Sequence, residues 1–382
     1  YSTSTLINNF RKYIEAFSDY PTQICFAVKS NSNINVLKIL AELGSGADTV
    51  SQGEIMRSLK AGISADKIVF SGVGKTRSEI EYALKQNVGQ INAESREEIE
   101  IIDKIAKNLG VKAPVSIRVN PDVDANTHEK ITTGRKIDKF GIPWEEAAES
   151  FEFAGKLENI DVQGVTTHIG SQINDVEPFR KAAEKICGLA KSLLDKGFKL
   201  NRIDLGGGLG IRYKDEETVN HKEYANAILE YVKPLDLKLY LEPGRNIAAD
   251  AGILVSEVQF IKHAGERSFA IIDAGMNDIA RPAIYTAYHG IIAEKSQENS
   301  SKYDVVGPVC ESADIFGRQR DLPELEYGDL IAIEQAGAYG MVMAGTYNTR
   351  PMIPEILVDD DSFNIIRRRQ TLEELISLDE VE

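Results

Sequence analysis

The sequence predicts an α/β chain: a (β/α)8 TIM-like barrel over residues 1–250 and a mostly-β C-terminal domain over residues 251–382. Three observations carry this expectation. At 382 residues the chain is longer than one ordinary core supports, so two domains are expected. Up to about residue 250, short β-rich runs alternate with amphipathic helical stretches, and a succession of βα units argues for a closed parallel ring. Beyond that point strand-like runs follow one another without alternating helices, punctuated by Gly and Pro. A doubly wound open sheet is the structural alternative for the first part.

The predicted barrel strands are Gln23–Val28, Ala47–Val50, Ile68–Ser71, Gln90–Ala93, Val115–Asn120, Val162–His168, Arg202–Leu205 and Lys238–Leu241. Helical stretches follow them, as at Asn33–Leu43, Gln52–Ala61, Arg77–Gln86 and Glu97–Leu109. The first of these places Ile34, Leu37, Leu40 and Ala41 on one face, the pattern of a packed helix. Segment Pro121–Ile142 breaks the rhythm with a polar run. A loop of that length in a compact domain is usually a functional lid or simply disordered. In the second domain, Ser268–Asp273, Lys302–Val306, Asp329–Glu334 and Glu355–Val358 read as strands.

Composition excludes several function classes. Acidic residues outnumber basic ones 59 to 44, for a net charge of −15, and the only basic cluster is Arg367-Arg368-Arg369. A nucleic-acid partner is therefore not expected, and the Arg run reads as a solvated strand end. Cys25, Cys187 and Cys310 are odd in number and far apart, which supports neither a disulfide framework nor a zinc site; a reducing cytoplasm fits them best. No apolar run approaches the ~20 residues of a membrane span, and no signal peptide is visible. The chain opens on Tyr1-Ser2-Thr3 without an initiator Met, so a further N-terminal piece is expected.

In a barrel of this kind chemistry sits at the C-terminal ends of the strands. The first predicted strand ends at Lys29, which alone reads more readily as a solvated cap than as a reactive amine, since most lysines are exposed. The sixth ends at His168 and Ser171, the seventh in Gly206-Gly207-Gly208-Leu209-Gly210, the eighth in Glu242-Pro243-Gly244-Arg245. Glycines after a strand let backbone N–H groups approach an anion, and barrel enzymes often bind phosphate after strands seven and eight. Glu242 and Arg245 form an ordinary ion pair or, in a cofactor site, offer a carboxylate to a pyridinium and a guanidinium to an anion. The five histidines lack metal-ligand spacing, so no metal site is expected. Gly72-Val73-Gly74-Lys75-Thr76 lacks the upstream glycine of a phosphate loop and is rejected as one.

Taken in order, Phe26-Ala27-Val28-Lys29-Ser30-Asn31, His168-Ile169-Gly170-Ser171-Gln172, the glycine turn, Glu242-Pro243-Gly244-Arg245 and Val309-Cys310-Glu311-Ser312-Ala313-Asp314 resemble the alanine-racemase-like (fold type III) pyridoxal-phosphate decarboxylases. The stretch Asp273–Asp278, Arg281-Pro282-Ala283, Tyr285 and Ala287-Tyr288-His289 looks like the diaminopimelate decarboxylase family. The resemblance spans essentially the whole chain, except that the family carries a further N-terminal segment. It implies pyridoxal 5'-phosphate as cofactor and an amino acid as substrate: meso-2,6-diaminopimelate, decarboxylated to L-lysine in the last step of lysine biosynthesis.

The same resemblance implies roles for matching positions. Lys29 resembles the Schiff-base lysine, Asp48 the carboxylate near the cofactor, and His168 the ring stacked on the pyridine face. Ser171, Gly207, Gly208, Gly244, Arg245 and Tyr339 look like cofactor contacts, and Glu242 the partner of the pyridine nitrogen. Arg245, Arg281, Tyr285, Glu311 and Tyr339 look like substrate contacts, and Cys310 the proton donor. The family's Cys-Glu pair reaches into the neighbouring barrel of a two-fold homodimer, so a shared active site is implied. An ornithine- or arginine-type decarboxylase is the nearest alternative, but its substrates need no guanidinium such as Arg281 in the distal pocket. A non-catalytic pyridoxal-phosphate carrier is the other, and the second domain with Cys310-Glu311 speaks against it.

Overall fold

The computed structural model describes residues 1–124, 138–295 and 299–380. The middle of the segment read as a lid, 125–137, thus lies outside the described residues. The chain divides into two compact units, Ile7–Ile211 with Glu217–Asn246, and Tyr1–Leu6 with Arg212–Glu216 and Ile247–Glu382.

The first unit is the barrel. Its parallel strands are β1 Thr22–Ala27, β2 Gly46–Thr49, β3 Ile68–Phe70, β4 Gln90–Ala93, β5 Ala113–Asn120, β6 Ile160–Thr166, β7 Arg202–Asp204 and β8 Lys238–Leu241. Each pairs with the next, and β8 returns to β1 with Thr22 opposite Leu239, which closes the ring and removes the open-sheet alternative. All the predicted barrel strands are present. Closure leaves no exposed edge.

Local chemistry explains why each strand hands over to a helix where it does. Asn33, Ser51, Thr76, Ser95 and Asn220 accept hydrogen bonds from the first backbone N–H groups of the helices they start. Such caps are each worth about 1 kcal/mol. Thr76 and Glu79 form a reciprocal capping box.

The interior is partly polar. Gln90 on β4 donates to Asp204 on β7 at 3.0 Å, and β5 and β6 lie between these strands, so the bond crosses the lumen. The Gln90 amide also donates to Asn92 at 2.7 Å, and Asn92 donates to Ser71 at 3.0 Å. All four side chains are buried, and the hydrogen bonds offset the cost of removing them from water.

The second unit holds a six-stranded sheet, in spatial order Ile291–Ala293, Leu330–Ile333, Leu254–Ala264, Arg267–Ile272, Ser300–Val306 and Ile315–Pro323. A hairpin of Glu355–Asp359 and Ser362–Arg367 stands beside it as a separate ribbon. Val258, Ile272, Val305, Phe316, Ile331 and Ile333 form its core. Strands at 254–264 and 315–323 were not expected from the sequence. The latter, Ile-Phe-Gly-Arg-Gln-Arg-Asp-Leu-Pro, is an edge strand, whose charges and two register shifts blunt pairing with other chains and hide its β pattern.

Candidate active site

Lys29, Asp48, His168, Ser171, Gly207, Gly208, Glu242, Gly244 and Arg245 all belong to the barrel unit. Strand β1 ends at Ala27, and Lys29 occupies the single 3-10 turn Val28–Ser30 that follows. Ala27 stands opposite Asp48 in the β1–β2 register. This places Lys29 Nζ 2.5 Å from Asp48 Oδ2 in a salt bridge. Asp48 is fully buried, and its Oδ1 has no hydrogen-bond partner among the described residues.

Glu242 follows β8, the strand that pairs with β1. It is buried, its carboxyl lies near those of Asp204 and Asp48, and its Oε1 has no partner among the described donors. Burial first, then the neighbouring carboxylates Asp204 and Asp48, push the Glu242 carboxyl well above its ordinary range. Burial raises Asp204 as well, while the Gly206 N–H at 2.9 Å opposes the rise.

The glycine turn fills the space between β7, β8 and His168. A Cβ on Gly207 would lie 2.2 Å from the Glu242 carbonyl oxygen, and Gly208 has φ +115°, a conformation L side chains rarely adopt. The Gly207 N–H donates to His168 Nδ1 at 3.2 Å, so Nδ1 is unprotonated and the ring proton lies on Nε2. Burial, with Lys29 and Arg118 adding positive charge, holds His168 well below its ordinary pKa and keeps it neutral. The Arg245 guanidinium donates to Ser171 Oγ from both Nε and Nη2 at 3.3 Å. Gly244 packs on the Lys29 turn: its Cβ would stand 2.9 Å from Ala27 Cβ and Ser30 Oγ.

Several contributors escaped the sequence reading. Glu94 pairs with Arg118 at 2.8 Å, both buried, and takes the Gly141 N–H at 2.9 Å. Burial lifts Glu54, which faces Lys29 and Asp48, to about 7. These residues lie outside any motif; the usable signal was polar residues on short strands otherwise destined for a core. Lys75 of the rejected phosphate loop is structural, its ammonium bonded to the Gly72 and Asn92 carbonyls and to Glu98. Cys25 and Cys187 are buried thiols whose pKa values are raised by burial, Cys187 to about 12, as inert packing requires.

Arg281, Tyr285, Cys310, Glu311 and Tyr339 belong to the second unit. Arg281 is buried and lies over the Tyr213 ring at 4.5 Å. It donates to His289 Nε2 at 2.7 Å, while His289 Nδ1 donates to the Glu334 carbonyl at 2.7 Å. Tyr285 ends the short helix begun by Arg281, and Tyr339 has a positive φ of 56° in the loop after Leu330–Ile333. Cys310 and Glu311 are exposed on a tight loop, where the Cys310 N–H donates to Asn348 at 2.9 Å. Asp314, four residues after Cys310, turns inward and accepts the Val309 and Met276 N–H groups at 2.7 Å. It shapes the loop.

Among the described residues no group of His, Cys, Asp and Glu is placed to hold a metal ion, and no helix is long and apolar enough to cross a membrane. Residues 3–249 match the family described as pyridoxal-dependent decarboxylase, pyridoxal binding domain. The diaminopimelate decarboxylase of Haemophilus influenzae is 49% identical over 382 residues, covering 99% of this chain and 92% of the relative. That of Pseudomonas aeruginosa is 48% identical over 376 residues, covering 98% and 90%. The crystal structure of diaminopimelate decarboxylase from Helicobacter pylori complexed with L-lysine superposes with a TM-score of 0.97 at 47% identity, covering 99% of this chain and 95% of that one. The chain belongs to the pyridoxal-dependent decarboxylases, within the diaminopimelate decarboxylase family.

Proposed function

We propose that this enzyme removes one carboxylate from meso-2,6-diaminopimelate, as carbon dioxide, and releases L-lysine, with pyridoxal 5'-phosphate as cofactor. The observation that carries this is the full-length likeness to a diaminopimelate decarboxylase that holds L-lysine, the expected product, on the same fold. The barrel mouth fits the cofactor. It offers a lysine amine, a buried carboxyl oxygen on Glu242 without a partner among the described residues, and a glycine turn packed so closely on the Glu242 backbone that Gly207 admits no Cβ.

The cofactor, when bound, supplies an aldehyde for an amine and an aromatic ring that accepts the electron pair left by carbon dioxide. Lys29 provides the amine, aligned by Asp48. Glu242 faces the ring nitrogen and favours its protonated form. His168, neutral and oriented by the Gly207 N–H, offers a flat face for stacking. The glycine turn, with Ser171, Gly244 and Arg245, surrounds the phosphate, and Tyr339 completes that side.

Arg245, Arg281, Tyr285, Glu311 and Tyr339 receive the substrate. A distal end bearing both an amine and a carboxylate suits an acid and a guanidinium together. Cys310 returns the proton to the α-carbon. Its exposure, with that of Glu311, supports a two-fold homodimer in which this pair serves the partner's barrel. The cysteine pattern and the biosynthetic reaction suit the cytoplasm.

The test is carbon dioxide release from diaminopimelate, ornithine, arginine and lysine in parallel. Turnover confined to meso-diaminopimelate is the expected result. Faster release from ornithine or arginine would overturn the substrate.

A further inference from the structure

His289 and the residues that hold it converge on Arg281, the guanidinium read as a substrate contact. His289 is fully buried, and Arg281 and Tyr213 are nearly so. The guanidinium lies over the Tyr213 ring at 4.5 Å. The His289 ring meets the same tyrosine edge-on, with 5.5 Å between centroids and 73° between planes. Arg281 Nη1 stands 2.7 Å from His289 Nε2. A guanidinium only donates, so Nε2 accepts; Nδ1 then carries the ring proton and donates to the Glu334 carbonyl at 2.7 Å. The backbone of the histidine is held as well. Arg320, stacked on Tyr288 at 3.9 Å, donates to the His289 carbonyl at 3.1 Å. The carbonyl of the next residue, Gly290, accepts the Glu334 N–H at 2.9 Å.

We propose that His289 is a positioning residue for Arg281: it fixes the guanidinium across the Tyr213 ring, oriented to meet a carboxylate at the distal end of the substrate. The proposal rests on the reading that Arg281 receives that end. The choice of histidine has a physical reason. A carboxylate in its place would hold the guanidinium as firmly but neutralise it, and a substrate anion would then gain less from the contact. A neutral imidazole orients the cation through a hydrogen bond and leaves its charge whole. The face of Tyr213 acts in the same way, since a ring quadrupole attracts a cation without cancelling it. A guanidinium fixed in advance loses less side-chain freedom when a carboxylate arrives, and its planar fork has to be oriented for a bidentate contact. His289 thus acts on the substrate through Arg281.

The experiment compares inhibition of the holoenzyme by L-lysine and by 1,5-diaminopentane, which is lysine without its carboxylate. Wild type prefers L-lysine, and Arg281→Ala abolishes that preference. His289→Phe keeps a buried ring and loses both hydrogen bonds. It cuts the preference about tenfold, the scale of a single hydrogen bond, by weakening L-lysine and sparing diaminopentane. KM for diaminopimelate rises by a similar factor, with little change in kcat or in the cofactor's absorbance. His289→Gln, whose amide accepts from a guanidinium and donates to a carbonyl, restores most of the preference. In the Arg281→Ala background His289→Phe has no further effect. Tyr213→Leu removes the ring face and lowers the preference in the same direction, which covers the case of a His289 variant that does not fold. Equal weakening of both inhibitors by His289→Phe would reduce His289 to a structural residue. An unchanged preference, in His289→Phe or in Tyr213→Leu, would remove this clamp from the site. A preference that survives Arg281→Ala would instead overturn the Arg281 reading.

Discussion

The barrel and the second unit offer their candidate residues in opposite states. In the barrel, Asp48, Glu242 and Arg245 are buried, Lys29 is ion-paired, and His168 is neutral and fixed by a backbone N–H. In the second unit, Arg281 is buried and clamped by His289, yet Cys310 and Glu311 stand exposed on a loop shaped from beneath by Asp314. The cofactor half is prebuilt within one chain. The loop of Cys310 and Glu311 is exposed, the surface that the proposed two-fold homodimer would cover. Buried networks resist rearrangement, whereas an exposed loop pair gains a low-dielectric setting only on association.

That contrast is most severely tested at its barrel end. Lys29→Ala should abolish the visible absorbance of the bound cofactor and lower kcat by about a thousandfold or more. A variant retaining both would dissolve the barrel half of the site. Next comes Glu311→Ala, which should leave cofactor absorbance intact while kcat/KM for diaminopimelate falls by roughly 2–5 kcal/mol, the cost of stranding a buried substrate charge. An unchanged kcat/KM would remove Glu311 from substrate recognition.

Mixing Lys29→Ala with Cys310→Ala sharpens the comparison further. With free exchange half the dimers are hybrids, and each hybrid carries one site with both defects and one with none. About a quarter of all sites should therefore recover. No recovery, with exchange demonstrated by mass spectrometry, would mean that Cys310 serves its own barrel.

The smallest expected effect concerns Glu54, whose folded-state pKa of about 7 lies above its ordinary 4.5. Its protonated form contributes stability that is fully present below pH 4.5 and lost as pH rises through 7. Glu54→Gln should thus stabilise the cofactor-free chain at pH 8 by about 1–2 kcal/mol and lose that advantage at pH 5. Urea unfolding at the two pH values reads this directly, and a pH-independent difference would show that burial of Glu54 is already compensated.

Much of the barrel was legible because its signals are local. Asn33, Ser51, Thr76 and Ser95 announce helices one turn ahead, and the β-branched runs between them have the length of strands. Lys29, His168 and Glu242 were legible as strand-end residues for the same reason. The edge strand Ile315–Pro323 was not, since its charges serve solubility rather than pattern. Nor was the role of Gln90, or the pairing of Glu94 with Arg118, because such contacts exist only once separate strands share a lumen. Nor was the place of Asp314, which lies near Cys310 in the chain but turns inward to accept backbone N–H groups.

The bond from Gln90 to Asp204 joins residues 114 positions apart through the middle of the ring. It cannot form while the sheet is still a curling ribbon. Loop-closure entropy makes so distant a contact late, and interactions absent from the folding transition state govern how fast a protein comes apart rather than how fast it assembles. Substitution of Gln90 should then leave the refolding rate near that of the parent while the unfolding arm of the chevron rises. The lumen network acts as a latch on the finished barrel, setting the lifetime of the native state.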